Sequence, residues 1–475
     1  MRTRLQNKLQ TWKNRLAAAR RQLRRLRSKL YWSCHRIKKQ EACIAELERL
    51  IQPQPIAGHT YPAQMVVLAI FMVAQAGVSL RAAAKTITFF AHLMGWKHYQ
   101  KPSHVTVLRW VLRAGLYELQ RAANQRPPDA KYVGILDKSI ALGGEKFLLL
   151  LGVRVPPEGL ASLAALTHTD VEVLAMQVSP SWGAEEIGTF LQGAIGNQTG
   201  QAKLDYVITD GGTNLIKALR EATIDRVNDC THVLMNLVKK WYADDARLSV
   251  LCAEIGKLRR QNTLGRYGYI VPPTLRDKDR FLRVFTLVDW AAKIKDHWNE
   301  LDEQARARLT FLTTHAELLA ELNQVRHVVA QTGKVFKRRG MNDRSIKLWR
   351  WLLDRYATAG QPVAALSAMI AALEEYVTAH DVARQKYGGH LLCCSDIIES
   401  VFGRYKNKGG VKAISADILK IPLYRVELTC DYVVAALESV SYQDVYAWEM
   451  LNTCPTRFGQ LRALRRRSKP ARVAA

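Results

Sequence analysis

Acidic residues are scarce in this sequence: 42 Asp and Glu stand against 70 Lys and Arg over 475 positions, leaving a formal charge of +28 at pH 7. That deficit excludes a charge-balanced surface and makes a polyanion the expected partner. Long apolar runs are missing as well. The longest, Met65 to Ala74, covers ten residues between Gln64 and Gln75, too short to cross a bilayer as a helix. The eight cysteines form no C-x-x-C pair, and the Arg-rich N-terminus lacks the apolar core of a secretory leader. A membrane protein and a disulfide-stapled secreted protein are therefore not expected; free thiols in a reducing cytoplasm are. With 48% hydrophobic and 24% charged residues, the chain can bury a sizeable core in roughly two to four domains.

What is present is unevenly spread. Residues 1–50 carry 15 Lys/Arg and three Glu, and residues 457–475 carry seven Lys/Arg and no acid. Dense basic ends suit phosphate contacts. Residues 1–51 also hold a heptad seam: Leu5, Leu9, Trp12, Leu16, Ala19, Leu23, Leu26, Leu30, Ser33, Ile37, Gln40, Ile44, Leu47 and Ile51, with no Gly or Pro among them. Twelve of these fourteen positions are apolar, which predicts a basic coiled coil and hence at least a dimer. A single amphipathic helix lying on its own protein is the plainer alternative.

The linker 52–62, with three prolines and a glycine, leads to three expected helices over 63–124. The last, capped by Ser103, carries Arg109 and Arg113 and suits a helix-turn-helix reader of DNA, or equally a structural bundle. From residue 131 the period changes to that of strands. The expected order over 131–242 is β-β-β-α-β-α-β-α, with strands at 131–137, 146–155, 170–178, 204–209 and 224–230. Residues 243–390 read as a helical insertion with scattered tryptophans, residues 391–455 as closing helices, and 456–475 as a basic tail.

Two aspartates occupy matching places: Asp137 after the run VGIL and Asp210 after YVIT. A carboxylate closing a buried strand is costly unless it is paired or metal-bound. Two on adjacent strands would need a cation between them, and an all-oxygen donor set suits Mg²⁺ or Mn²⁺. Glu399, on a helix whose Ile397, Ile398, Val401 and Phe402 would pack on the sheet, supplies a third. Asp210 and Glu399 have reserves in Asp205 and Asp396.

This pattern resembles the DDE transposases, whose catalytic core is RNase H-like, of the retroviral-integrase superfamily. There the first Asp lies on strand one, the second just after strand four and the Glu on a later helix. Asp137, Asp210 and Glu399 match those positions, and the long helical stretch before Glu399 matches lineages with an insertion there. The resemblance implies an α/β RNase H-like core with a mixed five-stranded sheet and a large all-α insertion, preceded by the coiled coil and the helix-turn-helix-like domain. It implies two Mg²⁺ or Mn²⁺ ions on the three carboxylates, cleavage and joining of transposon ends in double-stranded DNA, and a cytoplasmic, nucleoid-associated protein of a bacterial insertion sequence. Such lineages carry Cys and His shortly after the second Asp; Cys230 and His232 stand there as C-x-H, and with Cys393 and Cys394 are also zinc candidates. Lys406, seven residues after Glu399, matches a phosphate-holding lysine, flanked by Arg404 and Lys408. Arg465, Arg466 and Arg467 in the tail would clamp phosphates. A non-catalytic DNA-binding relative and another RNase H-fold nuclease are the competing readings.

Overall fold

The structure, a computed structural model, describes residues 2–96, 99–140, 145–160, 165–196, 201–274, 280–357, 363–406 and 414–454. The basic tail beyond 454, with Arg465, Arg466 and Arg467, and Lys408 lie outside these residues.

Helix α1 (Arg2–Ile51) is one unbroken run of 50 residues, as expected of a segment without Gly or Pro. After the linker come α2 (Ala63–Ile70), which runs on as a π-helical turn over Phe71–Gln75, and α3 (Leu80–Leu93). Gly77 (φ +72°) makes the turn between them. In α4 (His104–Asn124) the Ser103 hydroxyl accepts from the Thr106 backbone N–H at 3.0 Å, so the expected cap forms. The helix runs about a turn further than its apolar pattern suggests. One face of α4 (Val107, Trp110, Val111, Ala114) packs with α2, α3 and the distant Leu423, Val433 and Leu437. Leu112 and Leu116 face a second core. The 63–124 segment is thus not a free-standing domain, because residues some 300 positions later complete its core.

Strands β1 (Lys131–Ile140), β2 (Lys146–Arg154) and β3 (Val171–Ser179) form an antiparallel meander. Helix α5 (Ala184–Ala194) then returns the chain to β4 (Lys203–Thr209), parallel to β1. Helix α6 (Thr213–Glu221) leads to β5 (Arg226–Asn228), parallel to β4. The result is a mixed five-stranded sheet of order β3-β2-β1-β4-β5. Its two faces follow the two-residue period of strands. Leu136, Leu148, Leu150 and Val207 pack under α5 and α6. Val133, Ile135, Phe147, Leu149, Tyr206 and Ile208 face the larger core.

That larger core is covered by helices. Helix α7 (Cys230–Tyr242) is followed by α8 (Ala246–Asn262), α9 (Arg280–Asp296), α10 (Glu303–Leu309), α11 (Phe311–Thr314), α12 (Ala316–Arg339), α13 (Asp343–Ala357), α14 (Ala364–Ala379) and α15 (Asp381–Lys386). The pair β6 (Met341–Asn342) and β7 (His390–Leu391) makes a small antiparallel sheet. Helix α16 (Asp396–Lys406) lies against β1. Two short 3₁₀ turns then precede α17 (Cys430–Ser439) and α18 (Tyr442–Asn452). One continuous hydrophobic cluster runs from the sheet through α7, α9, α12 and α14 to α16. The insertion expected over 243–390 therefore shares the core of the sheet rather than forming its own. Trp290 and Trp349 sit in that core, their indole N–H groups donating to the Ile270 carbonyl (3.2 Å) and the Thr332 hydroxyl (2.9 Å). Trp351 is half exposed, with Arg355 over its ring. No helix among the described residues is long and apolar enough to cross a membrane.

Gly115 lets α4 lie directly on the 3₁₀ turn over Ala416–Lys420: a Cβ there would fall 1.8 Å from the Leu419 carbonyl oxygen. Gly115→Ala should therefore destabilise the protein by at least about 1–3 kcal/mol. Gly188→Ala in α5, where a Cβ meets nothing within 4 Å, should stabilise by about 0.5–1 kcal/mol. Chemical denaturation of the two variants checks the opposite signs.

Candidate active site

Parallel pairing of β1 and β4 sets the site. Leu136 pairs with Thr209, so the next residues, Asp137 and Asp210, emerge side by side. Asp137 does not end its strand as the sequence suggests: β2 pairs with β1 as far as Ile140, while β4 stops at Thr209. By parity Asp137 follows Val133 and Ile135, and Asp210 follows Tyr206 and Ile208. Both acids thus belong to the face against which α16 packs.

Asp137 is buried, 6% exposed, and its Oδ1 accepts from the Lys138 backbone N–H at 2.6 Å. Its carboxyl is pushed up to about 7, first by burial, then by the negative charges of Asp210 and Glu399, against the Lys138 hydrogen bond and the charge of His232. Asp210 Oδ1 accepts from the Gly212 N–H at 3.0 Å, which holds the carboxylate at the head of α6. Glu399 is exposed on α16, while Ile397, Ile398, Val401 and Phe402 are buried beneath it. The charges of Asp210 and Glu399 both act on the Asp137 carboxyl, so the three acids lie within electrostatic reach of one another.

The reserve acids do other work. Asp396 binds Lys337 at 2.5 Å and accepts from the Thr231 hydroxyl at 2.8 Å. Burial pushes its carboxyl up, but the pairing with Lys337 and Thr231 holds it below the ordinary value. This pins the start of α16 to α12 and α7. Asp205 sits towards the other end of β4, near Lys131 at 3.8 Å.

The accessory pair differs from the expected one. The partner of His232 is Asp229, three residues earlier, rather than Cys230. Asp229 is buried, caps α7 by accepting from the His232 backbone N–H (2.8 Å), meets the His232 ring Nδ1 at 2.7 Å, and accepts from the Ser395 N–H at 2.7 Å. One carboxylate so ties α7, the imidazole and the entry to α16 together. The hydrogen bond to Asp229 pushes His232 up to about 9; burial opposes it, and the charges of Asp229, Asp210 and Asp137 add to it. At neutral pH a positive imidazolium stands beside the acids. An N-capping Asp followed three residues later by His was the available sequence signal.

Cys230 faces the core. Its backbone N–H donates to the Cys393 carbonyl at 2.8 Å, and burial pushes its thiol well above the ordinary range, as it does those of Cys393 and Cys394. The Cys230 thiol is thus enclosed in the core, while the His232 ring is taken up by Asp229.

Two arginines expected at phosphates are committed to backbone carbonyls. Arg113 donates to the Val440 and Leu437 carbonyls and meets His59 Nε2 at 3.2 Å, capping the C-terminus of α17. Arg404 donates to the carbonyls of Ala74 (3.1 Å) and Gln75 (2.5 Å) and lies 4.1 Å over the Tyr424 ring. It clamps α16 to the π-helical turn. Arg109 stays exposed on the first turns of α4, its guanidinium 4.9 Å over Tyr442. Lys406 is exposed at the end of α16, near the Phe402 ring. An open cleft is lined by Gln75, Gly77, His168, Ser400 and Arg404.

Among the described residues no three His, Cys, Asp or Glu side chains already stand in a metal-holding arrangement. The donor chemistry of Asp137, Asp210 and Glu399 nevertheless fits a hard divalent cation, since all three offer carboxylate oxygens and their crowding raises Asp137. Without metal, the folded state keeps a proton on Asp137 that the unfolded chain releases near pH 4, so stability falls as pH rises towards 7. In chelator, Asp137→Asn should therefore be more stable than the parent at pH 8, by on the order of 2–4 kcal/mol, and no more stable at pH 4. Thermal unfolding at the two pH values measures this. No family model matches the sequence, and comparison with curated proteins finds no match.

Proposed function

We propose that this protein is a DDE-type DNA transposase, in which the five-stranded sheet is an RNase H-like core that cleaves and joins transposon ends by divalent-metal-dependent phosphoryl transfer. The observation that carries the reading is the register of β1 and β4, which sets Asp137 beside Asp210 on the face where α16 presents Glu399. A scaffold with no chemistry to perform gains nothing from a buried carboxyl beside two others, and such perturbed acids cluster at functional sites. That argues against the non-catalytic DNA-binding alternative.

In this reading Asp137, Asp210 and Glu399 hold two Mg²⁺ or Mn²⁺ ions. Bound there, such ions supply charge stabilisation at the attacked phosphate and an acidified water or 3′-hydroxyl nucleophile. The chain's own groups do the rest. Lys138 N–H and Gly212 N–H each fix one carboxylate oxygen, orienting Asp137 and Asp210. Asp229 fixes the His232 ring, whose positive charge offsets the acids and attracts a phosphodiester to their rim. Arg404 and Asp396 fix α16, and with it Glu399. Double-stranded DNA, as terminal repeat and as target, is the partner suggested by the +28 charge. Arg109 on the exposed start of α4 is the base-reading candidate, and Lys406, Lys408 and the Arg465–Arg467 cluster are the phosphate contacts. A bacterial, cytoplasmic, nucleoid-associated setting belongs to the same proposal.

The test uses the purified full chain and DNA carrying the sequences that flank its coding region. Asp137→Asn, Asp210→Asn and Glu399→Gln should each lower Mg²⁺-dependent strand cleavage by at least about 100-fold while binding to that DNA persists. Cleavage at the parent rate by any one of them removes that residue from the site. Parent rates in all three overturn the proposal.

A further inference from the structure

Helix α1 carries an apolar stripe that the other described residues leave uncovered. From Trp12 (68% exposed) to Ile44 (53%), every large apolar residue of the heptad seam is at least half exposed. A solvated helix with such a stripe needs a partner surface. The seam and the charge on its flanks identify the partner and its direction. We infer that α1 pairs with α1 of a second copy of this chain in antiparallel orientation, about an axis at Ser28. The inference does not rest on the catalytic reading.

The seam is symmetric under reversal. Positions that sum to 56 lie opposite one another: Trp12 with Ile44, Leu16 with Gln40, Ala19 with Ile37, Leu23 with Ser33, and Leu26 with Leu30. Every seam residue between 12 and 44 then meets another seam residue, and the alternation of three- and four-residue steps is kept.

Charge decides the direction. Residues 2–29 carry eleven Lys/Arg and no acid, whereas residues 30–51 carry four Lys/Arg and three Glu, a net +1. A parallel pair lays +11 along +11. An antiparallel pair lays +11 along +1, which removes most of the repulsion between the two helices. On the seam's flanks, reversal brings Lys13 to Glu41 of the other copy, whereas the parallel arrangement brings Arg15 to Arg20. Ser33 and Gln40 then face leucines instead of each other, a local cost that the charge difference along the whole helix outweighs. At 1.5 Å per residue, the two linkers leave the paired rod at opposite ends, about 70 Å apart. The rest of the two chains would then lie at its two ends.

Cross-linking of the full chain tests orientation. In a Cys34→Ser/Cys43→Ser background, Lys29→Cys lies beside its own copy at the centre of an antiparallel pair. Leu16→Cys meets itself only in a parallel one. Under mild oxidation Lys29→Cys should form a covalent dimer and Leu16→Cys should not, with a dimeric mass by light scattering for both. A charge swap gives a second readout that leaves the seam intact. Glu41→Lys should weaken dimerisation, and Lys13→Glu/Glu41→Lys should restore it. A monomeric parent, a Leu16→Cys cross-link, a dimer that Lys29→Cys does not trap, or no rescue by the double swap would each overturn the inference.

Discussion

Mutual repulsion among three carboxylates is the constraint around which the site is arranged. Two parallel strands in register put Asp137 and Asp210 side by side, and α16 adds Glu399. Such a cluster is unfavourable in an empty protein, and the surrounding structure bears that cost in two ways. Asp137 takes up a proton near neutral pH, and His232 keeps its own. A dication bound among the acids would displace the Asp137 proton, while the His232 imidazolium would stay held by Asp229.

The surroundings hold the acids together against that repulsion. Asp229 reaches α7, the His232 ring and the Ser395 N–H at once. Asp396 reaches Lys337 and Thr231. Arg404 reaches back to the carbonyls of Ala74 and Gln75. Glu399 is therefore held from three sides, by α7, by α12 and by the N-terminal helices. The shared core explains why the long helical segment before Glu399 does not stand apart: α12 supplies Lys337 to the start of α16, so it must be packed against the sheet.

Much of this was legible in the sequence, for a physical reason. Strand periodicity and glycine turns are local, so the five strands and the place of Asp210 after β4 follow from short stretches, whereas Asp137 lies inside β1 because β2 pairs with it as far as Ile140. The burial of Ile397, Ile398, Val401 and Phe402 likewise fixed the face on which Glu399 lies. What could not be read depends on distant backbone. Arg113 and Arg404 look like phosphate contacts until the carbonyls of Leu437, Val440, Ala74 and Gln75 come into reach, each more than 300 residues away. The packing of the 63–124 helices likewise depends on distant residues, since Leu423, Val433 and Leu437 complete their core. The carboxylate that holds the His232 ring is Asp229, one residue before Cys230, a partner that the C-x-H spacing does not name.

The proposed divalent-cation site on Asp137, Asp210 and Glu399 is open to direct measurement. Titration of the full chain with Mn²⁺ at pH 7.5, followed by electron paramagnetic resonance of free Mn²⁺, tests it without any assumption about the DNA. Saturable Mn²⁺ binding is expected, abolished by Asp137→Asn and Asp210→Asn and left intact by Asp205→Asn. Binding unchanged in Asp137→Asn, or no saturable binding by the parent, would contradict it.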